Sequence, residues 1–303
     1  MRPTHILVVN GLKVRQPVFV VGAPHSGIDL VAGALKRSAG FHITIGQPSV
    51  SAVVHAFARR PSISQGREEA AASVLRDAFA LAWRLTPEGC AACSPACRLA
   101  GRAGSVGPCA AAPSVARYGD ASPDLLYCAG ALLSAFPDAR FVQVIRDGRD
   151  VVAGMLADTD TIAALRPGFA NLNDEFPNPF LGVENEADRA GWADLSLAGK
   201  CALRWRSAVR TSARLRYVLS AQQLTTLRYE EIVTRPDAVA GMMSEFVGAR
   251  VPAIALRAPY ADRALEPGAW RHTLSADQAT EVESVAGHEL RRIGYGDLPE
   301  YDT

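Results

Sequence analysis

One pattern recurs three times along this chain and narrows its fold more than any other feature: a short apolar run, a turn, and an amphipathic stretch. Pro17 to Gly22 (PVFVVG) leads through Ala23-Pro24-His25-Ser26-Gly27 into a helix expected over Ile28 to Ala39. Phe141 to Ile145 (FVQVI) leads through Arg146-Asp147-Gly148-Arg149-Asp150 into a helix expected from Val151 onward. Leu224 to Arg228 ends at Tyr229-Glu230-Glu231 and is followed by a helix over Asp237 to Gly248. Short β-branched runs that stop at glycine or charge read as buried strands. Repeated strand and helix units predict an α/β fold, a parallel sheet flanked by helices whose ligands gather at the carboxyl ends of the strands. The 303 residues contain no internal repeat and no linker, so a single domain over 1–303 is expected.

Charge excludes several partners. With 32 basic and 31 acidic residues the net charge is +1, and no block of like charge interrupts the chain. Such a chain has no long-range field to recruit nucleic acid or an anionic membrane, so any anion must be met by a local pocket. Only Lys13, Lys36 and Lys200 are lysines, and none sits in a glycine-rich loop, which excludes a G-x-x-x-x-G-K-[ST] nucleotide loop. No apolar run reaches the roughly 18 residues of a membrane span, and Met1 to Val20 lacks the pattern of a signal peptide. A cytoplasmic protein is expected.

Two stretches are too irregular for plain connections. Cys90 to Pro113, in an insertion at about 88–113, is rich in Cys, Gly, Pro and Ala. Ala157 to Leu195, in a region at about 157–197, carries Pro167-Gly168, Asn171, Asn173, Pro177-Asn178-Pro179 and Gly182. Long segments over an α/β sheet often serve as lids or substrate walls, so the second is expected to shape an acceptor pocket.

Chemistry concentrates at two turns. Gly22 to Asp29 (GAPHSGID) lies between a strand and a helix, where free N–H groups and the helix dipole converge on an anion. The alternative is a tight turn with nothing bound. In Arg146 to Asp150 (RDGRD) a strand-end guanidinium can pair with a phosphate in bidentate fashion. The alternative is a surface helix start capped by Asp147 or Asp150, with Arg149 solvated. Arg146 and Arg149 differ in helical phase, so only one need face a site.

Taken in order, PVFVVGAPHSG, YGDASP, FPDARFVQVIRDGRDVV, LRYEEIVTRPDA and GAWRHTLS resemble the bacterial sulfotransferases that use 3′-phosphoadenosine 5′-phosphosulfate (PAPS). The resemblance runs from about Pro17 to Tyr295 and implies a P-loop-like sheet, PAPS as sulfuryl donor and a small-molecule acceptor in specialised metabolism. It implies that Pro24, His25, Ser26, Gly27, Ile28 and Asp29 occupy the 5′-phosphosulfate loop. Arg146 falls at the 3′-phosphate position, and Gly154 stands where a serine normally helps it. Tyr229 matches a tyrosine near the adenine, and Arg263 an arginine of the late 3′-phosphate segment. Asp120 of Gly119-Asp120-Ala121-Ser122-Pro123 falls where the family carries a candidate base, unless it is an ordinary turn residue. His42 and His55, in the segment after the first helix, read as helix or strand residues more than catalytic ones.

Five positions depart from the family pattern. His25 replaces Arg or Lys, Ile28-Asp29 replaces two hydroxyl residues, Ala121 replaces lysine, and Gly154 replaces serine. A fixed cation at the transferring group stabilises charge on the leaving oxygen. His25 can stand in as a general acid or a protonated cation, while Asp29 is either an unfavourable neighbour of the anion or a first-turn acid serving the helix dipole. The rival is therefore a protein that keeps the fold and the nucleotide pocket but runs altered chemistry, or only binds its ligand.

Four of the six cysteines fall together as Cys90-x2-Cys93-x3-Cys97-x11-Cys109. In a cytoplasmic protein this density points to a structural zinc site of four thiolates, with disulfides or free thiols as alternatives. Cys128 and Cys201 lie in apolar segments. Trp192, Trp205 and Trp270 are expected to pack, and Arg204, Arg206, Arg210, Arg214 and Arg216 to line a solvated face of one long helix. Oligomeric state, homo-oligomers included, is left open.

Overall fold

The computed structural model describes residues 6–101, 107–257 and 266–296. Five parallel strands form its sheet: β3 (Val18–Gly22), β4 (Phe41–Ile45), β5 (Arg117–Ala121), β6 (Arg140–Ile145) and β7 (Leu224–Arg228). Their spatial order is β4-β5-β3-β6-β7. A small antiparallel hairpin of β1 (Val8–Val9) and β2 (Leu12–Lys13) precedes them.

Strand alternation divides the core into two layers, because successive side chains point to opposite faces. Val18 and Val20 of β3, with Val142 and Val144 of β6, pack against α1 (Ile28–Lys36) and the helices Pro236–Val247 and Ala253–Leu256. Phe19, Val21 and Phe141 face the other layer. That layer contains α2 (Pro48–Arg59), α3 (Glu68–Ala82), α6 (Ala129–Ala135), α7 (Gly148–Leu156) and the helices Leu197–Val218 and Ala276–Arg292. Between them, α4 (Pro87–Ala91) and α5 (Pro95–Ala100) carry the clustered cysteines along the β4 edge of the sheet. Among the described residues no helix is long and apolar enough to cross a membrane.

β3 and β6 are adjacent, yet the chain leaves them in opposite directions, through α1 toward β4 and through α7 toward β7. That divergence opens a crevice at their carboxyl ends, where open α/β sheets bind ligands.

Four expectations change on the page of the structure. α1 stops at Lys36, and α7 starts at Gly148, because Asp147 caps it by accepting the Arg149 N–H at 2.9 Å. β4 and β5 carry polar residues on buried positions and offered no apolar run. Gly119 in β5 is demanded by close approach: a Cβ there would lie 2.3 Å from the Val18 carbonyl oxygen. Of the arginines of Leu197–Val218, Arg214 and Arg216 are exposed as expected, whereas Arg204 and Arg206 are turned inward. Arg206 pairs with Asp188 at 2.6 Å, Arg210 with Glu289 at 2.7 Å and Arg214 with Glu184 at 2.6 Å. Trp192, Trp205 and Trp270 are all buried.

Candidate functional site

The turn after β3 and the turn after β6 meet in one cavity of about 490 Å³ at the β3/β6 crevice. Gly27, at φ 95°, caps α1 without a side-chain hydrogen bond, so the first-turn N–H groups of this nine-residue helix are open to a ligand. Pro24, His25, Gly27, Ile28 and Asp29 line the cavity. Ser26 does not: it is buried and its hydroxyl donates to the Ala23 carbonyl at 2.7 Å, closing the turn from within.

Arg146 is the arginine of the second turn that faces the site. It is 4% exposed, its guanidinium lies 4.0 Å from the centre of the Tyr229 ring, and it donates to the His25 carbonyl at 3.1 Å. The Trp205 indole N–H donates to the Arg146 carbonyl, so the long helix fixes the backbone at this point. Arg149 is buried rather than solvated, held by Asp147 at 2.8 Å and over the Trp270 ring. Asp150 accepts from the N–H groups of Gly268 and Trp270, both at 2.8 Å, and so ties the GAW segment to the first turn of α7. Arg263 lies outside the described residues.

His25 and Gly154 form one unit. His25 sits at φ 61°, a left-handed conformation uncommon outside glycine, and its ring nitrogen Nε2 is 3.2 Å from an Asp158 carboxylate oxygen. A Cβ on Gly154 would come within 2.8 Å of the His25 Cβ. A side chain at position 154 would thus enter the space that the His25 side chain occupies. Burial pushes the Asp158 carboxyl upward, but hydrogen bonds from Thr161, the Asp160 N–H and His25 outweigh it and hold the group below the usual carboxylate range.

The cavity lining also holds Asp124 and Phe180, which the sequence did not single out, together with His55 and Arg204, which it read as a helix or strand residue and a solvated arginine. His55 Nδ1 is 2.9 Å from Asp124 Oδ2, and Arg204 reaches Asp124 Oδ1 at 3.5 Å while its guanidinium stacks 4.2 Å from the Phe180 ring centre. Asp124 lies in the turn that follows Ser122-Pro123, and Arg204 comes from the middle of Leu197–Val218, so neither has a local motif. From the region at 157–197, Asp158, Asp160, Thr161, Ala164 and Phe180 also line the cavity. Asp120, the residue expected as base, lies in β5, is 1% exposed and is not part of the cavity wall. Its carboxylate accepts a short hydrogen bond from the Thr44 hydroxyl, and burial pushes its pKa up to about 7.

The four clustered cysteines are brought together with Lys36 and His42 on the far side of α5, away from the cavity except for Ala96 in its wall. They do not match the expected zinc tetrahedron. Among the described residues no group of three or more His, Cys, Asp or Glu side chains is arranged to hold a metal ion.

The model of the Sulfotransferase family matches residues 17–173, which include the first loop, Arg146 and Gly154. No curated protein matches the chain. Among solved structures, the sulfotransferase domain of the olefin synthase from Synechococcus PCC 7002 is 14% identical, with a TM-score of 0.51 and 99% of each chain covered. A sulfotransferase from Alicyclobacillus acidocaldarius is 16% identical, with a TM-score of 0.47 over 94% of this chain and 98% of its own. The sulfotransferase STF9 from Mycobacterium avium is 14% identical, with a TM-score of 0.47 over 93% of this chain and 77% of its own. The family match spans more than half of the sequence and contains both turns that build the cavity, and the chain therefore belongs to the sulfotransferase family.

Proposed function

We propose that the protein transfers a sulfuryl group from PAPS to a hydroxyl or amine of a small-molecule acceptor in bacterial specialised metabolism. One observation carries this: an uncapped helix N-terminus and a buried arginine stacked on a tyrosine meet in a single cavity with a histidine–carboxylate pair. The α1 N–H groups would hold the 5′-phosphosulfate, Arg146 the 3′-phosphate, and Tyr229 would lie by the adenine. His25 would donate its N–H, or its proton, to the leaving phosphate oxygen, with Asp158 fixing the ring. His55, oriented by Asp124, would take the acceptor proton as the in-line transfer proceeds. Asp120, buried against Thr44, stays out of proton transfer.

Calorimetric titration with adenosine 3′,5′-bisphosphate, the desulfated donor, tests the proposal. Micromolar one-to-one binding that is lost in Arg146→Ala is the expected result. No binding at millimolar ligand overturns PAPS as donor.

A further inference from the structure

The clustered cysteines have no part in that function, and their geometry points elsewhere. Two of the sulfurs lie in direct contact. Cys90 Sγ and Cys109 Sγ stand 3.7 Å apart, and the Cys109 backbone N–H donates to Cys90 Sγ at 3.4 Å. Cys93 and Cys97 form a second hydrogen-bonded pair. A zinc ion would need four ligand atoms about 2.3 Å from one common point, and the described residues provide no such group.

Between the pairs lies a buried ammonium. Lys36 donates to the Ile43 carbonyl at 2.7 Å and to Cys109 Sγ at 3.5 Å, and it also hydrogen-bonds Cys97. A buried cation needs a compensating charge, and Cys97 supplies one: the hydrogen bond from Cys93, with Lys36 adding to it, pulls its thiol down to about 6. His42 Nδ1 adds a further polar contact to Cys109 at 3.5 Å. Cys109 is also partly exposed, whereas Cys90, Cys93 and Cys97 are buried. One thiol therefore combines a cationic neighbour, access from solvent and a second thiol in reach, the three conditions for thiol–disulfide exchange.

We propose that Cys90 and Cys109 form a reversible disulfide, with a small-molecule disulfide as the oxidant. Cys109, the more exposed thiol, loses its proton to solvent and attacks one sulfur of the oxidant, whose S–S bond breaks and releases one half as a thiolate. Cys90 gives up its proton to that leaving group, and its sulfur attacks Cys109 and expels the second half as a thiolate, which takes a proton from solvent. Two protein thiols lose two electrons, and the oxidant becomes two thiols. Closure brings the sulfurs from 3.7 Å to bonding distance, about 2.0 Å, by side-chain rotation.

The test uses the full-length, metal-analysed protein incubated with oxidised glutathione, followed by peptide mapping without reduction. The expected product has lost two of its six free thiols and yields one linked species joining the Cys90 and Cys109 peptides. Dithiothreitol restores both thiols, Cys109→Ser abolishes the link, and Cys128→Ser leaves it intact. The wild-type map decides the matter even if a variant fails to fold. Stoichiometric zinc in the purified protein that shields these thiols until a chelator is added would overturn the proposal. So would a link between Cys93 and Cys97 in its place, or retention of all six thiols.

Discussion

Among the residues that line the cavity, Arg146 and Tyr229 are 4% and 2% exposed and stacked at 4.0 Å. The side chains of His25 and His55 in the same lining are 34% and 46% exposed, and each rests on a single carboxylate. The first set is preorganised: its cation is held by a ring and a carbonyl, and its backbone by the indole of the long helix, before any ligand arrives. The second is built of titratable pairs in contact with water, where each ring can turn or change its proton. On the proposed function, binding belongs to the rigid set and proton traffic to the open one.

Substitutions in the two sets should separate these tasks. The largest effect is expected from Arg146→Ala. Removing a buried charged partner should weaken adenosine 3′,5′-bisphosphate binding by about 100-fold or more, read by calorimetry. Next, His55→Ala should lower turnover by about 100-fold, the scale of a lost general base, while bisphosphate affinity stays within a few fold. Weakened binding in that variant would erase the division between the sets. Gly154→Ser should lower turnover by about 10-fold by pushing the His25 ring off Asp158. In a His25→Gly background, which removes the Cβ that the serine would meet, the same serine should have little further effect, because the two changes act on one contact.

Asp120→Asn should have the smallest effect on rate. The carboxyl is pushed up to about 7 by burial, so the folded protein holds a proton that the unfolded chain releases near pH 3.8. Stability must therefore fall as pH rises from about 4 to about 7 and then level off. The asparagine variant should lose this slope and gain on the order of 1–4 kcal/mol at pH 8, seen in thermal melts. Abolished turnover would instead move Asp120 into the transfer machinery.

Much of the sheet was legible because β3, β6 and β7 announce themselves as apolar runs ending in turns. β4 and β5 were not, since Thr44 and Asp120 satisfy each other across the sheet and Gly119 is set by the neighbouring backbone. The nucleotide set was legible for the same reason as its strands, because Gly27 and Arg146 sit at strand ends. The transfer set was hidden: Asp124 and Arg204 meet across 80 residues of sequence, and Asp158 lies in the irregular region. The arginine-rich helix misled for a related reason. Its acidic partners, Asp188, Glu184 and Glu289, come from other segments, so no spacing within the helix reveals that the charges are paired.

The contact between His25 and Gly154 also couples two positions that lie far apart in the sequence. The first atom that a side chain on 154 would meet is the His25 Cβ, which every residue but glycine carries. The constraint therefore lies in the backbone of the first loop before it lies in the imidazole. With residue 25 at φ 61°, the first turn after β3 keeps its shape only while the facing turn of α7 stays bare, so the loop and α7 must move together or not at all.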